Sequence, residues 1–82
     1  MIILNGKDMG DRDALHAELK KKLGLPEYYG ANLDALNDCL GARAGRELIV
    51  IRDFGDFAEA CGPYGLGLLR VFNDNGIQVL LS

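Results

Sequence analysis

Histidine, cysteine and proline are scarce in this chain, with one, two and two residues among 82. A lone histidine, His16, and the absence of any Cys-x-x-Cys pair leave no set of metal ligands to be read from the sequence. No nucleophile–histidine pairing is visible either, so neither catalysis nor a cofactor is expected. No apolar run approaches the roughly 20 residues that cross a bilayer. Only Ile2, Ile3 and Leu4 precede the turn dipeptide Asn5-Gly6, and no basic residue comes before Lys7, so no secretory signal is expected. The expected compartment is the cytoplasm, where Cys39 and Cys61 stay reduced as half-buried small hydrophobes.

What is present is a balanced composition. Apolar residues make up 49% and charged residues 26%, and mean hydropathy is +0.04, which fits a soluble folded chain and not a disordered one. The length suffices for one small core, so a single domain over residues 1–82 is expected.

Basic residues are missing from one particular place. Between Lys22 and Arg43 there is none, while Glu27, Asp34 and Asp38 fall there. The chain holds twelve acids and nine bases, so outside this segment the two signs balance at nine each. The net charge of −3 therefore belongs to one stretch of an otherwise neutral molecule. A localised negative field steers a protein toward one positively charged site. The sequence pI near 4.9 argues against nucleic acid as a partner, and the short basic run Lys20–Lys22 suits the last turn of a helix.

Periodicity gives the order β-α-α-β-α-α-β. Ile2–Leu4 is a buried strand. Asp11 to Leu23 carries Leu15, Leu19 and Leu23 at spacing four and is an amphipathic helix, capped by Asp11 or Asp13 and closed by Gly24. Residues 25–31 form a loop in which Pro26 removes a donor and Gly30 permits an unusual backbone angle. Asn32 caps a second helix that ends near Gly41. Glu47 to Arg52 is a second strand, Phe54 to Ala60 a short helix broken by Gly62-Pro63, and Pro63 to Asn73 a further helix weakened by Gly65 and Gly67. Ile77 to Leu81 is the last strand. Apolar strands separated by helices imply an α/β fold, a three-stranded parallel sheet covered by about four helices.

On a helical wheel, residues 33–40 separate into two faces. Leu33, Leu36, Cys39 and Leu40 form the core stripe. Asp34 and Asp38 stack on nearly the opposite side, with the small Ala35 beside them and Asn37 on the flank. Like charges four apart repel by a few tenths of a kcal/mol. The helix dipole favours Asp34 near the N-terminus and opposes Asp38. No lysine or arginine lies three or four residues away to relieve either one. A local rule broken without local compensation is a place to expect function, the alternative being a merely solvated polar face. Tyr28 and Tyr29 in the preceding loop add the large, rigid contact area typical of interfaces, although one or both could instead pack the loop onto the domain.

The run Leu25-Pro26-Glu27-Tyr28-Tyr29-Gly30, followed by Asn32-Leu33-Asp34-Ala35-Leu36 and Asp38-Cys39-Leu40, resembles the barstar family, intracellular inhibitors of the secreted bacterial ribonuclease barnase. The similarity extends to Asn5-Gly6, Leu15-His16, Leu19-Lys20-Lys21, Val71-Phe72 and Leu81-Ser82. The resemblance implies a barstar-like fold whose loop and second helix plug a ribonuclease active site. Asp38 would be the dominant contact, standing in for a substrate phosphate, with Asp34 and Tyr28 as further principal contacts. Gly30, Asn32 and Ala35 would line the interface, and Leu33, Gly41 and Ala42 complete the candidate surface on the same helix. Asp74 would supply a peripheral charge. Asn37 and Arg43 stand where the family carries tryptophans, and Arg43 sets a positive charge at the rim. The expected partner is a barnase-like ribonuclease of extracellular type, bound 1:1 by a protein that is monomeric when free. An acidic interaction or immunity module for some other basic partner is the alternative.

Overall fold

The computed structural model describes residues 1–42 and 47–82. Its elements are β1 (Ile2–Asn5), α1 (Arg12–Leu23), α2 (Leu33–Ala42), β2 (Leu48–Arg52), α3 (Phe54–Cys61), α4 (Pro63–Asp74) and β3 (Gln78–Leu81). The order is the one periodicity predicts. A 3-10 turn over Gly6–Asp8, unmarked by any apolar period, follows β1 and is closed by the Asn5 side chain accepting from the Lys7 amide.

The sheet is parallel throughout, in the order β1-β2-β3. Right-handed crossovers between strands that follow one another in this order all fall on the same side, so the helices gather over one face. Burial follows from that. Leu4, Ile49 and Ile51 point under the helices and are fully buried, whereas Ile3 and Leu80, aligned with Val50 on the other face, are 37% and 51% exposed. The strands are apolar on both faces, yet among the described residues the helices cover one face.

The core joins Leu15, Leu19 and Leu23 of α1, Leu36 and Leu40 of α2, Phe57 of α3, and Leu68 and Phe72 of α4 to the strand residues. Of the two candidate caps, Asp11 holds α1, accepting from the Ala14 amide at 2.8 Å, and Gly24 closes the helix in a left-handed conformation. The glycines of α4 have a tertiary reason. A Cβ on Gly67 would sit 2.9 Å from Leu33 Cδ1, and one on Gly65 would sit 3.1 and 3.2 Å from carbons of the Phe57 ring. Helix propensity is given up there so that α2 and α3 can lie close against α4.

Candidate functional site

The loop and α2 stand where the sequence places them, and the N-cap is the joint between them. Asn32 Oδ1 accepts from the Ala35 amide at 2.7 Å, satisfying a donor that the first helical turn leaves open. The asparagine's own Nδ2 donates back to the Gly30 carbonyl at 3.3 Å. The unusual backbone angle falls on Ala31, with φ of 53°, and not on Gly30 as expected. Gly30 is small for a different reason, since a Cβ there would lie 3.3 Å from that of Ala35. The loop thus folds directly onto the first turn of α2.

From this joint the side chains divide. Leu36 and Leu40 are buried and Leu33 and Cys39 half-buried against the core, with Leu33 meeting α4 at Gly67. Asp34, Asn37, Asp38, Gly41 and Ala42 are exposed, and Ala35 is half-buried among them. Neither aspartate has an ion pair or hydrogen bond among the described residues. Glu27, the third acid of the segment, is paired with Lys20 at 3.3 Å, so part of the local charge is offset within the chain. The unrelieved negative field comes from Asp34 and Asp38.

The two tyrosines separate as well. Tyr28 is 87% exposed, and Tyr29 is half-buried against the core. The hydroxyl of Tyr29 reaches Nδ1 of His16 at 2.6 Å, while Nε2 of the same ring meets the Tyr64 hydroxyl, also at 2.6 Å. Burial of Tyr29 pushes its phenol well above the ordinary value, with smaller contributions from Tyr64 and Cys39. This histidine–tyrosine cluster escapes sequence reasoning, because its partners lie 13 and 48 residues from His16. Glu18 is another such residue. It is buried, and its Oε2 accepts from the Asn5 amide at 3.0 Å, tying α1 to the end of β1.

On the far flank, Asn75 Nδ2 donates to Asn37 Oδ1 and to the Val71 carbonyl, both at 2.8 Å. That bridge holds the C-terminal end of α4 beside α2, and Asp74, the last residue of α4, is exposed at the same end. Arg43 lies outside the described residues. Among the described residues, the candidate surface is the exposed face of α2 and the loop before it. An apolar groove of about 340 Å³ is lined by Phe54, Phe57, Pro63 and Leu66 among others, none of them from the loop or α2. Among the described residues, no cluster of His, Cys, Asp and Glu is arranged to hold a metal ion, and no helix is long and apolar enough to cross a membrane. Cys39 and Cys61 are free thiols, and Cys61 Sγ donates to the Met9 carbonyl at 3.3 Å.

Residues 1–79 match the family described as Barstar (barnase inhibitor). The chain belongs to the barstar family. A Bacillus subtilis (strain 168) protein named "Putative ribonuclease inhibitor YrdF" is 39% identical over 74 residues, spanning 89% of this chain and 81% of that protein. The barstar match therefore covers the loop, α2 and α4, and with them every residue assembled above. It also accords with the three-stranded parallel sheet and its four helices.

Proposed function

We propose that this barstar-family protein inhibits a basic ribonuclease by occlusion, inserting α2 and the loop before it into the active site. The observation that carries this reading is the face bearing Asp34 and Asp38. Two carboxylates stand exposed on one helical face without a cation among the described residues, beside a tyrosine that is 87% exposed. A ribonuclease active site is lined with cations that hold RNA phosphates. A pair of carboxylates on a rigid helix offers those cations charge in the same place, and Tyr28 offers flat area for the groove. In this role Asp38 carries the central contact, Asp34 and Tyr28 flank it, Gly30, Asn32, Leu33, Ala35, Gly41 and Ala42 form the close-fitting floor, and Asp74 adds charge at the edge. The protein acts as a cytoplasmic monomer that binds its target 1:1, with no catalysis of its own.

One observation favours a partner other than barnase. Asn37 is engaged by Asn75 and is polar where the family carries an aromatic side chain. A polar rim there suits an enzyme whose active-site margin offers hydrogen bonds instead of an apolar shelf. RNA cleavage by barnase and by a panel of small, basic, secreted bacterial ribonucleases, each titrated with the purified protein, tests the proposal. One enzyme should lose activity stoichiometrically at a 1:1 ratio. Undiminished cleavage across the panel, with capture of a basic nuclease of another kind, would replace this reading with that of an immunity module.

A further inference from the structure

Asn75 closes α4, its amide donating to the Val71 and Phe72 carbonyls, both at 3.2 Å. Its side chain bridges to α2. Nδ2 donates to the Val71 carbonyl and to Asn37 Oδ1, each at 2.8 Å, and a Cβ on Gly41 would stand 3.9 Å from Asn75 Oδ1. The carboxamide therefore lies along one turn of α2, from Asn37 to Gly41. Asn75 is half-buried and Asn37 exposed.

The order of these bonds fixes which atom of Asn37 meets solvent. A carboxamide carries two N–H groups on its nitrogen and only lone pairs on its oxygen. The Val71 carbonyl can only accept, so the Asn75 atom facing it is the nitrogen. The second proton of that nitrogen is aimed at Asn37, so the Asn37 atom facing it is the oxygen. The amino group of Asn37 is left turned outward, with no acceptor among the described residues. The other exposed polar side chains of α2, Asp34 and Asp38, only accept as carboxylates. An unlocked asparagine presents either end of its amide to a partner, whereas this one presents a donor. An anion set against that donor would also face Asp34 and Asp38, three residues before Asn37 and one after it. The acceptor that fits is therefore uncharged.

We propose that Asn75 is a positioning residue for the specificity of the inhibitor. It locks Asn37 with the amino group outward, and so selects a ribonuclease that sets an amide carbonyl oxygen beside the cations meeting Asp34 and Asp38. The selection rests on the occlusion proposed above, whereas the lock belongs to the free protein.

The lock is tested in the free protein by NMR, through scalar couplings across hydrogen bonds. Asn75 Nδ2 should couple to the Val71 carbonyl carbon and to Asn37 Cγ, and Asn37→Ala should lose the second coupling. Coupling in the reverse sense, from Asn37 Nδ2 to Asn75 Cγ, or none at all, would overturn the proposal.

The selection is tested by affinities and dissociation rates with barnase and the rest of the ribonuclease panel, read on the enzyme that is inhibited most strongly. Asn37→Asp keeps the oxygen that faces Asn75 and replaces the outward donor by a carboxylate oxygen. Added negative charge alone would speed association with a basic enzyme and tighten binding. Instead, the Asn37→Asp complex should dissociate about tenfold faster, because two acceptors now face each other. Asn75→Ala should weaken the complex about threefold to tenfold, since Asn37 must then be ordered on binding. In an Asn37→Ala background the same substitution should change affinity by no more than about twofold. A merely structural Asn75 would weaken binding equally in both backgrounds. That result, or an Asn37→Asp complex as long-lived as wild type, would overturn the proposal and leave occlusion standing. Asn37→Asp decides the matter if Asn75→Ala does not fold. If no enzyme of the panel is inhibited, occlusion fails and the selection with it, even where the lock is seen.

Discussion

Tyr28 and Tyr29 are adjacent in sequence and opposite in fate, one in solvent and one hydrogen-bonded to a buried histidine. Tyr28→Ala should leave the thermal midpoint nearly unchanged and weaken inhibition, because the side chain removes almost no surface from water in the free protein. Tyr29→Ala should cost about 2–3 kcal/mol of stability, through lost packing and an orphaned imidazole nitrogen. Denaturant unfolding beside an inhibition assay separates the two, and an exchange of the two effects would mean the loop faces the other way. His16 adds a dependence on pH. Its folded value lies below the 6.5 of an unperturbed histidine, so the unfolded chain takes up a proton first as pH falls. Stability should therefore be full above about pH 6.5 and decline below it until the folded ring also titrates; His16→Gln should flatten that slope in urea unfolding measured from pH 8 to 5. The tyrosine split was half legible, since chemistry said that a tyrosine pair near a proline serves packing, contact or both. The histidine was not, because nothing local marks a residue whose two partners come from distant turns.

Among the elements, α2 was the most legible, because a 3.6-residue period forces Leu36 and Leu40 inward and carries Asp34 and Asp38 outward on the same geometry. Its start was legible from Asn32 alone. Asn32→Ala should cost about 1 kcal/mol and loosen the first turn, the turn that carries Asp34. Hydrogen exchange confined to residues 33–36 should rise, and an unchanged first turn would show that loop packing and not the cap holds it. The glycines of α4 were misleading, because propensity counts Gly65 and Gly67 only as weak points. Their value lies in the approach of Phe57 and Leu33, a tertiary fact that local sequence does not encode. Ala31 is a similar case. The neighbouring glycine drew the expectation of a positive φ, but Gly30 is needed for closeness to Ala35, and the strain passes to the alanine.

At the scale of the molecule, alternating helices and apolar strands were enough to give a parallel three-stranded sheet, but not the open face bearing Ile3 and Leu80, since apolar strands read alike whether one face or both are covered. Charge segregation was legible too, and the Lys20–Glu27 pair narrows it to Asp34 and Asp38. Association with a basic enzyme should accordingly slow with added salt far more than dissociation quickens, as stopped-flow mixing from about 0.02 to 0.5 M salt would record; a salt-independent association rate would contradict steering. The central claim is that Asp38 exists for a partner and not for the fold. It is exposed, has no partner among the described residues, is opposed by the helix dipole and repelled by Asp34. The most direct measurement is Asp38→Ala, with thermal midpoint and inhibition of the cognate ribonuclease determined on the same preparation. The free protein should be as stable as wild type or more stable by some tenths of a kcal/mol, while binding falls by about 2–5 kcal/mol as the enzyme's buried cations lose their counter-charge. A variant that inhibits as wild type does, or that unfolds at markedly lower temperature, would contradict the account.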